Sequence, residues 1–319
     1  MEYIKWINTK GLPHEKWLEY RKAGIGGSDA PAILGLNSYR SAIQVWLDKK
    51  GLLPEKEENE TLRFGRDIEQ YIADRFEEYM AMQGTPKTTV KCNYILRNKK
   101  FPFMLADVDR LIKGEQAGLE CKFTLNREGH DYETGMPPRF YVQAYHYMAV
   151  TGYKEWYVAV YVAQKGINVF KIERDENEIR ALTDVERDFW EFNVEKNQEP
   201  RPDGSERADE ALSRLYPIAD ENREQIDLTP YAEELQNYEE IRTQYKALGR
   251  EKERYEQIFK SVLKDGTEGR YGGYTVTWKN VKGTEAFNAA KFREEHPDLY
   301  GQYLEQGKDS RRFGFKITK

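Results

Sequence analysis

The alternation of helical and strand-like apolar patterns is the feature that most restricts how this chain can fold. The patterns predict, in order, a helix over 66–82, strands over 88–96, 103–112 and 118–123, a helix over 137–150, a hairpin over 155–172 and a helix over 176–194. Elements in this order favour an α/β (mixed α+β) fold, in which helices flank a central mixed sheet.

A break rich in turn-forming residues, 197–204, separates this part from the rest of the chain. We therefore expect one domain over 1–204 and a mainly helical C-terminal extension over 205–319. Apolar residues spaced by threes and fours predict a long helix over 231–262, and a small hairpin is expected over 269–281. The long helix either packs on this hairpin or presents a surface for docking or oligomerisation.

Three polar side chains interrupt the predicted strands. Glu120 and Lys122 lie two residues apart in an apolar run, so both project from the same face of a strand. Asp109 ends the preceding apolar run, and a hairpin would bring it beside Glu120. Carboxylate oxygens bind Mg²⁺, and a lysine can steady an attacking water or the charge on a phosphoryl group. The alternative is a surface ion pair on a hairpin.

The sequence also predicts where the side chains of Cys121 and Asp107 lie relative to these three residues. Cys121 must point to the opposite face of the strand, where a small buried apolar side chain is expected rather than a nucleophile. Asp107 lies two residues before Asp109 and on the same face, so it is the alternative carboxylate for the site.

A glycine-rich turn over 24–27 follows the short helix predicted for 13–22. Ser28 stands at the expected N-cap of a further helix over 30–34. With Arg21, this hydroxyl and the turn's backbone N–H groups would form an anion pocket. The alternative is a plain helix cap beside a solvated arginine.

The ordered set of motifs resembles the YqaJ-like viral recombinases, phage-type exonucleases related to lambda exonuclease within the restriction-endonuclease-like nuclease superfamily. The resemblance covers roughly residues 13–200, and it is carried by Trp17–Arg21, Gly24–Gly35, Leu62–Glu69, Phe103–Lys122 and Tyr141–Gly152. It implies a restriction-endonuclease-like core for the predicted sheet and helices.

One departure affects the site. The family often shows Pro-Asp-Gly where this chain has Val108-Asp109-Arg110. The aspartate of this motif is retained, so we assign the metal-binding role to Asp109 and keep Asp107 as the alternative ligand.

The resemblance also implies an activity and its residues. It implies a Mg²⁺-dependent 5′→3′ exonuclease on double-stranded DNA, with Mn²⁺ able to substitute, which leaves 3′ single-stranded tails for phage or prophage single-strand annealing recombination. The implied metal ligands are Asp109, Glu120 and the backbone carbonyl of Cys121, the implied catalytic residues also include Lys122, Glu69 and Gln143, and the implied 5′-phosphate and DNA contacts are Arg21, Ser28 and Arg139.

The implied partners are double-stranded DNA ends, a RecT-type single-strand annealing protein and, in a ring-shaped homotrimer, two further copies of the chain. Two alternatives remain open. One is an endonuclease with the same metal-dependent core, and the other is a catalytically idle DNA-binding scaffold.

Composition sets limits on these expectations. The net charge of −5 is unusual for a DNA-binding protein, so the basic side chains have to be concentrated locally, as in Arg97, Lys99 and Lys100. Only two cysteines occur, so we expect neither a disulfide framework nor an iron–sulfur cluster. No apolar run approaches the ~18–20 residues of a membrane span, and a cytosolic protein is expected.

Overall fold

The computed structural model describes residues 2–53, 59–126, 129–307 and 309–317. The chain forms two compact units, Met1–Pro217 and Ile218–Lys319. The candidate site lies in the first unit.

The first unit contains the predicted helices and strands and a small additional sheet. Its helices are α1 (His14–Lys22), α2 (Ala30–Ile33), α3 (Ala42–Lys49), α4 (Glu60–Met82), α5 (Pro138–Thr151), α6 (Glu176–Asp188), which a π-helical segment (Phe189–Glu195) continues, and α7 (Glu206–Leu215). Its strands are β1 (Tyr3–Asn8), β2 (Thr89–Lys91), β3 (Tyr94–Asn98), β4 (Leu105–Ala106), β5 (Arg110–Ile112), β6 (Ala117–Thr124), β7 (Glu155–Val162) and β8 (Gly166–Glu173).

The central sheet has five strands in the order β2-β5-β6-β7-β8. Strands β6 and β7 are parallel, while the other neighbouring pairs are antiparallel. Helix α5 makes the crossover that parallel strands require. This mixed sheet with its flanking helices confirms the predicted fold class.

Helices α4 and α5 cover opposite faces of this sheet. Ile72 and Phe76 of α4 pack with Leu119 of β6, whereas Met148 of α5 packs with Val158 of β7. Because side chains alternate along a strand, residues 118, 120 and 122 of β6 face the α5 side. The two polar residues of β6 therefore project toward α5.

The strand predictions for 88–96 and 103–112 were wrong in one respect, because each run is divided between two sheets. Strands β2 and β5 belong to the central sheet, whereas β3 and β4 pair with β1 in a separate three-stranded sheet. Both sheets bury apolar residues, so the hydrophobic pattern continues across each division. The second crossing, between β4 and β5, contains Asp107 and Asp109.

The first unit continues past residue 204, where the sequence suggested a boundary. Helix α7 buries Ala208 and Ala211 in a cluster with Ile43 and Leu47 of α3. Two small residues at i and i+3 share one helix face and allow this close packing. The compact unit therefore extends to Pro217.

The second unit contains the long helix and the hairpin expected for the extension. After a 3₁₀ turn over Thr229–Tyr231 come α8 (Ala232–Leu263), the antiparallel strands β9 (Glu268–Tyr271) and β10 (Tyr274–Thr277), α9 (Ala289–Glu295) and α10 (Pro297–Gln302). In the part of the chain that the structure describes, no helix combines the length and apolar character needed to cross a bilayer.

Candidate active site

A cavity of about 240 Å³ opens on the α5 side of β6. The predicted residues that line it are Arg21, Ser28, Asp109, Glu120, Lys122 and Gln143. The structure thus brings together residues from four separate stretches of sequence. Glu69 and Arg139 are not among its lining residues.

Glu120 is the centre of the hydrogen-bond network in this cavity. Lys122 Nζ lies 2.6 Å from Glu120 Oε1, and Gln143 Nε2 donates to the same oxygen at 2.7 Å. The side chain is buried, and among the residues that the structure describes Oε2 has no hydrogen-bond partner. A buried, unpaired carboxylate oxygen is costly unless a ligand or cation satisfies it.

Asp109 lies beside Glu120 because of the β5–β6 register. Arg110 pairs with Leu119, so the preceding residue of one strand meets the following residue of the other. Asp109 Oδ2 accepts a hydrogen bond from the Cys121 N–H at 2.8 Å. Burial raises the pKa of Asp109 well above its usual range, and the negative charge of Glu120 raises it further. The two carboxylates therefore repel each other when both are ionised.

This repulsion predicts that Asp109→Asn stabilises the metal-free protein. When folding raises the pKa of a carboxyl, that group adds to the free energy of unfolding at any pH below its unfolded-state pKa. The added stability is lost as pH rises through the folded-state pKa. Asparagine stays neutral and can still accept from the Cys121 N–H. We expect the variant to gain thermal stability relative to the wild type as pH rises in EDTA, measured by calorimetric melting. An equal or lower melting temperature at alkaline pH would contradict the repulsion.

The donor set fits a hard divalent cation. Among the described residues no group of three or more His, Cys, Asp or Glu side chains is placed to hold a metal ion. Two carboxylates, Asp109 and Glu120, are available, and the third protein donor would be the backbone carbonyl of Cys121. Oxygen donors of this kind suit Mg²⁺, which keeps several waters when it binds protein. The unpaired Oε2 of Glu120 supports this fit.

Lys122 remains a cation in this site. Burial lowers the pKa of its ammonium group, but the negative charges of Glu120 and Asp109 outweigh burial and raise the pKa overall. A protonated lysine cannot accept a proton from water. It can orient a water molecule or stabilise negative charge on a phosphoryl group.

Asp107 occupies the same cavity and differs from Asp109 in its partners. Asp107 Oδ2 accepts a hydrogen bond from Trp17 Nε1 at 2.7 Å, and its backbone carbonyl accepts one from Tyr147 Oη at 3.3 Å. Burial raises the pKa of Asp107. Asp109, in contrast, contacts the backbone of the strand that carries Glu120, which favours it as the ligand.

The glycine-rich turn forms another wall of the cavity. Arg21 Nη2 donates to Ser28 Oγ at 3.0 Å, and the Arg21 guanidinium lies 4.6 Å from the centre of the Trp17 ring. Ser28 is exposed and is not the N-cap of α2, so this prediction was wrong by one residue: Asp29 occupies that position. The Ser28 hydroxyl is thus directed at Arg21 and the cavity.

Asp29 is an important residue that sequence reasoning missed. Its buried carboxylate accepts from the Gly26 N–H at 3.0 Å, lies 2.6 Å from Lys49 Nζ and pairs with Arg40. Burial alone would raise the pKa of Asp29, but Lys49 and Arg40 lower it far below its usual value. Lys49 also donates to the carbonyl of Arg21 at 3.0 Å. The only signal in the sequence was an aspartate immediately after Ser28.

Glu69 lies near the site but is held by another residue. It forms a salt bridge with buried Arg110, whose guanidinium also donates to the Asp109 carbonyl at 2.8 Å and to Gln70 at 3.1 Å. Its negative charge contributes to the raised pKa of Asp109. A direct contact with the cavity is not observed.

Two further predictions concern side chains next to the site. Arg139 lies over the rings of Tyr39 and Phe140, at 5.6 and 4.9 Å from their centres. The Cys121 side chain packs against the apolar cluster beneath α4, which confirms that it points away from the site. Tyr147 lies four residues after Gln143 on α5, which places both on one helix face, and it also lines the cavity.

Comparisons with known proteins agree with the resemblance found in the sequence. Residues 16–154 match the YqaJ-like viral recombinase domain. The chain is 36% identical over 312 residues to protein YqaJ of Bacillus subtilis (strain 168), an alignment that covers 96% of this chain and 95% of that protein.

Two solved exonuclease structures resemble part of the chain. The alkaline exonuclease LHK-Exo of Laribacter hongkongensis has a TM-score of 0.40 and 17% identity, covering 57% of this chain and 98% of its own. A phage-related exonuclease from Haemophilus somnus 129PT has a TM-score of 0.40 and 12% identity, covering 55% of this chain and 96% of its own.

By its similarity to the YqaJ-like viral recombinases, the protein is a nuclease, a phosphodiester hydrolase that acts on DNA. The chain belongs to the YqaJ-like viral recombinase family.

Proposed function

We propose that this nuclease is a Mg²⁺-dependent 5′→3′ exonuclease on double-stranded DNA, which leaves 3′ single-stranded tails for phage or prophage single-strand annealing recombination. Mn²⁺ substitutes for Mg²⁺. The observation that carries this function is a single cavity that contains both the Asp109–Glu120–Lys122 cluster and the Arg21–Ser28 pair. This proximity supports hydrolysis beside a bound 5′-phosphate.

Asp109, Glu120 and the Cys121 carbonyl would hold the divalent cation. Once bound, the cation supplies Lewis acidity to the scissile phosphodiester and its attacking water. Gln143 orients the Glu120 carboxylate through its 2.7 Å hydrogen bond to Oε1 and leaves Oε2 without a partner among the described residues. Lys122 contributes positive charge where negative charge develops on the phosphoryl group.

Arg21 and Ser28 would hold the 5′-phosphate of the strand that is degraded. A guanidinium and a hydroxyl 3.0 Å apart present several donors to one phosphate group. Each cleavage then leaves a new 5′-phosphate that can enter the same pocket. A single mode of DNA binding would therefore explain both recognition of the 5′ end and hydrolysis of the next phosphodiester.

One incubation distinguishes this activity from its rivals. A linear duplex with 5′-phosphates, the same duplex with 5′-hydroxyls and a closed circle are each incubated with Mg²⁺ or with EDTA. We expect rapid release of nucleotides from the phosphorylated linear duplex in Mg²⁺ alone. Cleavage of the circle would identify an endonuclease, and binding without hydrolysis would identify a scaffold.

Arg21→Ala is expected to remove the preference for 5′-phosphorylated ends. The charge-assisted contact it deletes positions the substrate, so hydrolysis of 5′-hydroxyl ends should change little while phosphorylated ends lose about 10–100-fold, the equivalent of the 1.5–3 kcal/mol typical of hydrogen bonds to charged groups. Initial rates on both duplexes measure this preference. Lys16→Ala is the matched control, since Lys16 is an exposed cation on the same helix. Equal losses on both ends would assign Arg21 a structural role.

The second unit has a proposed role in assembly. Its α8 carries exposed apolar side chains, including Tyr245, Leu248 and Val262. We propose that it contributes to a homotrimer or to binding of a RecT-type annealing protein in the bacterial cytosol. Mixed charge on the other faces of the helix favours a protein partner over DNA.

Truncation after Pro217 tests that role. The shortened chain keeps all the cavity residues and should retain hydrolysis of naked DNA, while assembly or annealing-protein binding is lost. Light scattering and co-purification with the annealing protein measure these properties. An inactive or insoluble product would show that the second unit is needed by the nuclease itself.

A further inference from the structure

Gly27 and Tyr147 meet where the glycine-rich turn approaches the carboxylate site. A methyl group added at Gly27 Cα would lie 2.5 Å from Tyr147 Cε1 and 2.9 Å from its hydroxyl oxygen. Atoms cannot approach so closely without displacement. Gly27 does not have a positive φ, and the three atoms nearest to such a methyl all belong to the Tyr147 side chain.

The turn is held in place by a buried aspartate and a buried lysine. Asp29 accepts from the Gly26 N–H, and Lys49 joins this carboxylate to the carbonyl of Arg21. Asp29 and Lys49 are almost completely buried, with side chains 0% and 1% exposed. Both ends of the phosphate-binding segment are thereby fixed to α3, and the turn cannot shift freely.

The ring is held equally firmly. Tyr147 is buried, and its ring centre lies 5.0 Å from that of Trp156. Its hydroxyl accepts from Gln143 Nε2 at 2.9 Å and donates to the Asp107 carbonyl at 3.3 Å. Gln143 in turn donates to Glu120. A continuous set of contacts thus joins the turn to the catalytic carboxylate.

We infer that Tyr147 is a positioning residue that fixes the separation between the phosphate-binding turn and the carboxylates. This inference rests on the proposed function, because it assigns the 5′-phosphate to the turn. A 5′-phosphate bound by Arg21 and Ser28 then places the next phosphodiester at Glu120. Arg21, Ser28, Tyr147 and Glu120 all line the same cavity.

Gly27→Ala in the full-length chain tests the inference. The added methyl forces the turn and the ring apart, and a misplacement of about 1 Å can cost roughly 100-fold in rate. We expect kcat to fall about 100-fold on 5′-phosphorylated duplex and much less on 5′-hydroxyl duplex, which does not use the turn. The Kd for a fluorescent 5′-phosphorylated duplex in EDTA should stay close to that of the wild type.

Gly135→Ala is the control. A methyl there meets nothing within 4 Å, and Gly135 is not among the residues that line the cavity. It should reduce kcat on phosphorylated ends far less than Gly27→Ala. If Gly27→Ala does not fold, Tyr147→Leu is compared with Tyr147→Phe, because both lack the hydroxyl that contacts Gln143 and only the leucine variant also lacks the ring against Gly27; the leucine variant should show the additional loss on phosphorylated ends. Tyr147→Phe keeps the ring and should keep the end preference.

The outcomes separate the inference from the function on which it rests. A wild-type enzyme that treats both ends alike would overturn the phosphate assignment itself. A clear wild-type preference, combined with equal losses on both ends or no loss in Gly27→Ala, would overturn the role of Tyr147 alone. A large rise in Kd without a fall in kcat would also contradict it, because the contact would then serve binding.

Discussion

Glu120→Gln is expected to abolish Mg²⁺-dependent hydrolysis of DNA while the fold survives. The change removes the charge of the carboxylate whose Oε1 accepts from Lys122 and Gln143, and it replaces one of the two oxygens with an amide nitrogen, which is a poor ligand for a hard cation. Loss of a metal ligand removes several kcal/mol of charge stabilisation from the transition state, which corresponds to about 1,000-fold or more in rate. Nucleotide release from 5′-phosphorylated duplex measures the loss.

Metal binding gives this prediction a second measurement. Calorimetric titration with Mn²⁺ in the absence of DNA should show weaker binding to the Glu120→Gln protein than to the wild type. Glu115→Gln is the matched control, because Glu115 lies in the β5–β6 connection and pairs with Lys87 outside the cavity. Wild-type Mn²⁺ affinity together with wild-type hydrolysis in Glu120→Gln would exclude Glu120 as a ligand.

Lys122→Met should lower kcat by about 100–1,000-fold, the range found for removing a single charge-stabilising donor, roughly 3–4 kcal/mol. Methionine keeps the apolar stem beside the Phe140 ring, over which the ammonium lies at 5.5 Å. The ammonium is held charged by Glu120 and Asp109, so its contribution is electrostatic and not that of a proton acceptor.

Mn²⁺ binding separates this role from metal coordination. Removing the ammonium takes a positive charge from the site and leaves Gln143 donating to Glu120 Oε1, so the affinity of Lys122→Met for Mn²⁺ should be equal to or higher than that of the wild type. Lys113→Met, an exposed lysine in the turn before β6, supplies the control. A Lys122→Met protein that hydrolyses DNA at the wild-type rate would remove this residue from the proposed mechanism.

The local hydrophobic pattern could not predict where the chain passes from one sheet to the other. The runs over 88–96 and 103–112 look like single strands, because buried strands in either sheet have the same apolar character. Only the pairing of β3 and β4 with β1 shows that the chain leaves the central sheet and returns. That return places Asp107 and Asp109 at the cavity, two residues apart but with different partners.

The pairing of buried charged residues could not be predicted from the sequence either. Asp29, Arg40 and Lys49 are separated in sequence, and nothing in their spacing distinguishes them from solvated side chains, yet they form one buried cluster beneath the turn. Glu69 is nearby, but its pairing with Arg110 depends on the docking of α4 against the sheet. Packing decides which charged residues pair when they lie far apart in the chain, and such pairs leave no periodic pattern in the sequence.

The sequence by itself determined the order and type of most elements, the common face of Glu120 and Lys122, and the direction of the Cys121 side chain away from the site. These follow from the repeats of 3.6 and 2 residues, which are local properties of the backbone. Tertiary structure decided the division of strands between sheets, the extent of the first unit and the contact of Gly27 with Tyr147. Such contacts join residues far apart in the chain, and only close packing of the core fixes which of them meet.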